Sequence, residues 1–383
     1  MRTVLVTGAR APVAIDLARA CARAGHSTWL ADSVTPYAAK WSSVGGRRVQ
    51  RLPPARHDFP AYREALHRWV RGRLGVLVVP TCEEVFYVAE AAAHHGFADQ
   101  VFAPPPAVLR RLHSKIDFPA WARSLGIEAP DTLAVDSQDG LQALAGQAGG
   151  LVLKPEFSRF GTATLVRPGA AALNRIAAAP GHRWAAQPFV VGDEICLWTA
   201  ARAGEIVASV AYRPRWRLGH SASFAFEAID CPAALEVART IAADAQLTGH
   251  LSFDIILDVQ GRAVPIECNP RAISGIHLAG ARAELARAIL GEGPPLHVTQ
   301  GLAYLGPAMV LLGAPLALSR GQWGRWLADL RRGSDALARG GDRGPVAGAL
   351  VDAARFAWTG LSRHRSPTRQ TTDDIEWNGE PIQ

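Results

Sequence analysis

The sequence predicts an α/β fold that passes into an α+β region and closes in a helical extension. Three observations carry this. Strand and helix patterns alternate through residues 1–110. From residue 137 onward, apolar runs of strand length follow one another with few helices between them. Residues 300–365 are helical in pattern and rich in Arg and Trp. The 383 residues suffice for two or three domains, and a hydrophobic share of 49% supplies their cores.

Taken in order, "TVLVT" at 3–7 reads as a buried strand. "PVAIDLARACARAG" at 12–25 reads as a helix opened by Pro and closed by Gly. Strands at 27–32, 75–81 and 100–105 and helices at about 59–72 and 83–95 complete a parallel domain. Its loops at the strand carboxyl ends, 8–12, 32–35 and 81–84, should line a cleft. A single helical segment is predicted over 111–126, followed by the linker "IEAPDT". Strands follow at 151–155, 162–166, 184–190, 194–200 and 205–213. A helix spans about 232–246, and a hairpin covers 250–269. The stretch "TTDDIEWNGEPIQ" is polar and acidic, and no sequence argument fixes its place.

Charge and composition exclude several classes. The net charge is +7, but the basic residues are scattered rather than blocked, which argues against nucleic acid. Of 41 basic residues only Lys40, Lys115 and Lys154 are Lys. A Lys in so Arg-rich a chain marks a place where a compact point charge suits better than a planar fork. The five Cys form no CxxC pair, as expected of free thiols in a reducing compartment. No leader is visible, and "AMVLLGAPLAL" is too short to span a bilayer. A cytoplasmic location is expected.

The opening "VLVTGARAPVAIDLARA" has the strand, loop and helix of a dinucleotide site, with Asp32 at the end of the second strand. The fingerprint also needs two further glycines, and Arg10, Ala11, Pro12 and Val13 stand there instead. A nicotinamide site is therefore not expected.

"LSFDIILDVQGRAVPIECNPRAISG" at 251–275 concentrates negative charge in an apolar setting. A hairpin turning at "DVQG" sets Asp254 opposite Glu267, and Asn269 shares that face. Two carboxylates and an amide oxygen suit a hard divalent cation, Mg²⁺ or Mn²⁺. The alternative is that one acid points outward to an Arg, or that a bulge shifts the register.

The run "FDIILDVQGRAVPIECNPR" resembles the metal-binding hairpin of the ATP-grasp superfamily. The resemblance implies that Asp254, Glu267 and Asn269 hold Mg²⁺ against ATP phosphates, and that Arg271 steadies the phosphoryl group. Upstream, "SKIDFPAWARSLGIEAP" and "LVLKPEFSRFGT" are similar to the family's two phosphate segments, which gives Lys115 and Lys154 to ATP. "AQPFVVGDE" resembles its adenine hinge. Gln187 then stands beside the adenine amino group, Phe189 and Val190 offer backbone groups, and Glu194 meets the ribose. The loop after Lys154 has one Gly where the family has several, so Ser158, Arg159 and Thr162 would cover the phosphates. The likeness runs over about residues 111–280, and its N-terminal and grasp parts resemble the synthetase domains of carbamoyl-phosphate synthase.

The implied architecture is a pre-ATP-grasp domain at 1–110 and grasp subdomains at 111–187 and 188–300. A helical extension at 301–383 lies beyond the ordinary grasp. The implied reaction is phosphorylation of a carboxylate by ATP, with Arg271 and Lys154 catalytic, and then capture by an amine. A bicarbonate-phosphorylating enzyme and a non-catalytic ATP-binding module are the alternatives.

For the substrates, Arg213, Arg215 and Arg217 alternate on one strand face, facing either a carboxylate or solvent. His220 and Ser221 lie in a loop over the same region, and Ser274, just after the hairpin, is a further substrate candidate. Glu83 and Glu84 face the cleft, either to bind an ammonium or as acids at a helix N-terminus. Arg10 is a candidate anion contact. The basic, Trp-bearing C-terminal helices suit packing on the core or on a second copy better than a membrane surface.

Overall fold

The computed structural model describes residues 1–158, 163–218, 223–363 and 370–383. Its N-terminal part is a four-stranded parallel sheet of order β3-β2-β1-β4. The strands are β1 (Thr3–Thr7), β2 (Ser27–Asp32), β3 (Val49–Arg51) and β4 (Val76–Pro80). The helices are α1 (Pro12–Arg23), α2 (Tyr37–Lys40), α3 (Phe59–Arg71) and α4 (Val85–His95). Strand side chains alternate between faces. Val4 and Val6 therefore join the core under α1, and Leu5 and Val78 join the core under α3 and α4. Both faces are covered, as a parallel sheet requires.

Two short helices follow, α5 (Pro106–His113) and α6 (Asp117–Ser124). Next comes a small antiparallel sheet of order β5-β8-β6-β7, made of β5 (Leu133–Val135), β6 (Leu151–Pro155), β7 (Leu165–Val166) and β8 (Trp184–Pro188). With α7 (Gln138–Ala143) and α8 (Ala170–Leu173) it encloses its own core around Leu141, Leu153, Leu173 and Trp184.

The large sheet runs β13-β12-β9-β10-β11-β15-β16, with β14 pairing β10. It contains β9 (Asp193–Arg202), β10 (Glu205–Arg217), β11 (Ser223–Ile229), β12 (Gly249–Leu257), β13 (Ala263–Asn269), β14 (Leu296–Val298), β15 (Leu302–Tyr304) and β16 (Ser334–Asp335). The helix α9 (Pro232–Asp244) packs with α6 on one face, burying Leu197, Ile241 and Phe253. On the other face α10 (Gly275–Ala279), α11 (Ala283–Leu290) and α1 enclose Trp198, Tyr212 and Leu285. α1 thus ties the first domain to the large sheet.

The remaining helices are α12 (Gly306–Ala308), α13 (Ala314–Ser319), α14 (Trp323–Arg332) and α15 (Gly344–Ser362). α14 buries Trp326, whose indole donates to the Met309 carbonyl at 2.9 Å, and α15 packs on α2. No helix among the described residues is long and apolar enough to cross a membrane.

Several expectations are corrected. Residues 100–105 make only one bridge, Val101 to Val78, rather than a strand. Pro104, Pro105 and Pro106 lack the N–H that a ladder needs. The helix expected at 111–126 breaks at Ser114, whose hydroxyl accepts from the N–H groups of Ile116 and Asp117 at 3.3 and 3.0 Å. The break sets Lys115 in a bend between two helices. The strand at 184–190 stops at Pro188, and the region after 300 contributes β15 and β16 to the large sheet.

Candidate active site

The hairpin of β12 and β13 pairs Asp254 directly with Glu267, and Ser252 with Asn269. A bulge does occur, between the turn and the pair: Ile255 opposes Pro265, so Ile266 is the extra residue, and it is this extra residue that brings Glu267 opposite Asp254. The Ile266 carbonyl accepts from Lys154 Nζ at 3.4 Å. Lys154 ends β6, so the bulge joins the small sheet to the large one at the charged centre.

The two carboxylates lie side by side, half-buried. Burial, followed by the Glu267 charge, pushes the Asp254 carboxyl above the ordinary carboxylate range. Burial works against ionisation of Glu267 as well, but Lys115 and then Lys154 hold it below its ordinary value. Lys115 Nζ lies 3.4 Å from Glu267 and donates to the Ser158 carbonyl at 2.8 Å. Burial lowers the Lys154 pKa, with Glu267 opposing. Asn269 Nδ2 reaches Asp254 at 3.4 Å. Two acids, one amide and two ammonium groups thus converge at one place. The carboxylates retain a mutual repulsion that a dication removes.

Arg271 follows in a tight turn. Its Nε donates to Glu83 at 2.8 Å and its Nη2 to Asn269 Oδ1 at 3.2 Å. Glu83 comes from the end of β4, so an ion pair between domains aims the guanidinium at the hairpin. Burial lowers the Arg271 pKa, but Glu83, Cys82 and Asp254 together outweigh it and the net shift is upward.

The residues expected at a nucleotide lie around β8. Gln187 is buried, and its Nε2 donates to Thr132 at 3.1 Å and to the Lys115 carbonyl at 3.4 Å. Phe189 is exposed, and its N–H is already given to the Gly150 carbonyl, so only its carbonyl remains for an adenine contact. Val190 lies one residue further on, in the same hinge. Glu194 at the start of β9 is exposed and accepts from Arg217 at 2.7 Å. Ser158 is half-buried beneath Lys115, its hydroxyl donating to the Pro155 carbonyl at 3.2 Å. Arg159, Thr162, His220 and Ser221 lie outside the described residues.

The expected substrate contacts are largely corrected. Arg10 is enclosed by Asp32 and Asp374, both at 2.5 Å, so its charge is already neutralised inside the protein. Glu84 accepts from the Thr7 hydroxyl at 2.7 Å and the Thr81 N–H at 3.1 Å, which makes it a buried clamp of the β1 and β4 ends. Glu83 serves Arg271 rather than an ammonium. Arg215 is held by Asp329 at 2.7 Å and Glu227 at 2.9 Å. Register shifts at Trp216 break the alternation that set Arg213, Arg215 and Arg217 on one face. Arg213 stays half-exposed, 3.9 Å from Asp193. Ser274 bonds to Tyr212, which bonds to Cys196, whose thiol donates to Asp254 at 3.4 Å.

Sequence reasoning missed two supports. Glu156 is buried between the Ser114 hydroxyl at 2.7 Å and the Arg183 guanidinium at 2.7 and 2.8 Å. It fixes the bend that carries Lys115 beside β6. The second is the segment after residue 370. Asp374 binds Arg10 and Ser33, Glu376 binds Arg56, and Trp377 stacks on Phe86 with ring centres 4.7 Å apart. Trp377 also lies 4.9 Å from Phe157, three residues past Lys154. Its acid-aromatic pattern against Arg10 and Arg56 was the available signal.

No family model matches the chain, and no curated relative was found for it. Solved structures do match its fold. N5-carboxyaminoimidazole synthetase from Staphylococcus aureus, complexed with ADP, aligns at a TM-score of 0.63 and 12% identity, covering 83% of this chain and 86% of that one. L-amino acid ligase from Bacillus licheniformis aligns at 0.55 and 15%, covering 76% of each. The biotin carboxylase domain of 2-oxoglutarate carboxylase from Hydrogenobacter thermophilus, with MgADP and bicarbonate, aligns at 0.59 and 14%, covering 79% and 73%. The chain therefore has an N-terminal α/β domain, an ATP-grasp fold and a helical C-terminal extension.

Proposed function

We propose that this chain is an ATP- and Mg²⁺-dependent ligase that activates a carboxylate as an acyl phosphate and joins it to an amine. The observation that carries the reading is the half-buried, directly paired Asp254 and Glu267 flanked by Lys115, Lys154 and Arg271. ATP would lie between the two sheets, its adenine near Gln187, Phe189 and Val190, its ribose near Glu194, and its phosphates near Lys115, Lys154 and Ser158. Asp254, Glu267 and Asn269 would hold Mg²⁺, which neutralises phosphate charge when bound.

A carboxylate oxygen attacks the γ-phosphorus and the bond to ADP breaks. The amine then attacks the acyl carbon, phosphate leaves, and the nitrogen loses a proton. The protein's part is positioning and charge neutralisation. Arg271 suits the phosphoryl oxygens or the later oxyanion, since Glu83 and Asn269 fix its plane.

The fold likeness to a biotin carboxylase domain keeps a second reading, in which bicarbonate is the acid phosphorylated. The resemblance to carbamoyl-phosphate synthase domains points the same way. Release of ADP and phosphate, measured with panels of carboxylic acids, bicarbonate and amines, separates the readings. The ligase reading expects ADP release that requires an organic acid and an amine together. ADP release with bicarbonate alone supports the second. Binding of ATP with no acid-dependent release points to a non-catalytic module.

A further inference from the structure

A separate cluster of donors lies on the outer side of the N-terminal domain. α3 presents Glu64 and His67 three residues apart, which places them on one face of the helix. α4 packs against α3 and ends with His94 and His95, where Gly96 closes the helix in the left-handed conformation. The His67 and His95 rings stack with centres 4.0 Å apart and planes 20° from parallel. His95 Nε2 lies 3.1 Å from Glu64 Oε1. One ligand atom from each of Glu64, His67 and His95 falls within 4.8 Å of the others.

We propose that Glu64, His67 and His95 form a second metal site, distinct from the grasp hairpin, for a divalent transition ion of the zinc class. The donor set is two imidazoles and one carboxylate, which Zn²⁺, Co²⁺ and Ni²⁺ favour and Mg²⁺ does not. Both rings are half-buried, whereas Glu64 is exposed, so a bound ion keeps water in its open positions. A ligating imidazole must be neutral. The site also sits at the carboxyl end of α4, where the helix dipole favours a cation. Arg63, whose Nε lies 3.8 Å from Glu64, is the competing internal cation, at long range. The ion would pin the end of α4 to α3. The opposite end of α4 carries Glu84 and, one residue before it, the Glu83 that aims Arg271.

The test uses the full-length chain, stripped with chelator and held in excess Mg²⁺ so that the grasp hairpin is not available. Co²⁺ is titrated, with calorimetry and visible d–d absorption as readouts. One Co²⁺ per chain is expected in the wild type and in Glu267→Gln. His67→Gln and His95→Gln are each expected to weaken binding tenfold or more and to remove the band, with circular dichroism unchanged. Glu64→Gln is expected to weaken it less. Equal Co²⁺ binding by wild type and the His67→Gln/His95→Gln double variant, or no binding by the wild type, overturns the site.

Discussion

Lys115 and Lys154 hold the Glu267 pKa below its ordinary value, while burial and Glu267 raise that of its partner Asp254. Glu267→Gln keeps the shape and removes the balancing charge. Turnover should fall by about 10²–10³-fold or more, with the far-ultraviolet spectrum unchanged. Glu83→Gln acts through Arg271, leaving a buried guanidinium without its counter-charge. It should cost about 3 kcal/mol in a denaturant titration and lower kcat more than it raises KM for ATP. His113 contributes to the acid limit alongside His250, whose burial lowers its pKa to about 3. Both ring nitrogens of His113 are buried without a hydrogen-bond partner, and burial followed by Lys115 lowers its pKa from 6.5 to about 4. The unfolded chain binds that proton first, so stability falls as pH drops from 6.5 toward 4. The shift is worth on the order of 3 kcal/mol. His113→Phe should flatten that slope in melting curves recorded across the window, and an unaltered slope would assign it to other groups.

At the scale of elements, the hairpin was the most legible part of the sequence. Asp254 and Glu267 flank "DVQG" closely enough to be placed on neighbouring strands, but the pairs nearest the turn centre on Gln260, so their direct opposition comes from the bulge. The bulge at Ile266 was not legible, because local sequence does not say which strand takes the extra residue. The bend at Ser114 was hidden for a related reason: "RLHSKIDFPAWARSLG" has helical spacing throughout, and only the tertiary pull of Glu156 on Ser114 breaks it. The opening loop lacks the second and third glycines of a nicotinamide fingerprint, yet Gly8 is still required. It has φ +69°, and a Cβ there would lie 2.7 Å from Glu84 Oε1. Gly8→Ala should destabilise by about 2 kcal/mol, read as a lower denaturation midpoint. Arg10 was misjudged because its partners Asp32 and Asp374 lie 22 and 364 residues away.

Across the whole molecule, three sheets meet at one charged centre. The small sheet brings Lys154, the large sheet brings the carboxylates, and the parallel sheet brings Glu83 to Arg271. The segment after residue 370 closes over the parallel sheet's carboxyl ends and presses Trp377 on Phe157. Trp377→Ala should cost about 3–5 kcal/mol and raise the KM for ATP, since Phe157 adjoins the phosphate segment. The central claim is that Asp254, Glu267 and Asn269 serve Mg²⁺-ATP. Calorimetric titration of a non-hydrolysable ATP analogue into wild type and Glu267→Gln, each with and without Mg²⁺, tests it most directly. The account predicts that Mg²⁺ tightens binding at least tenfold in the wild type and has no effect in the variant. An equal Mg²⁺ effect in both proteins would contradict it.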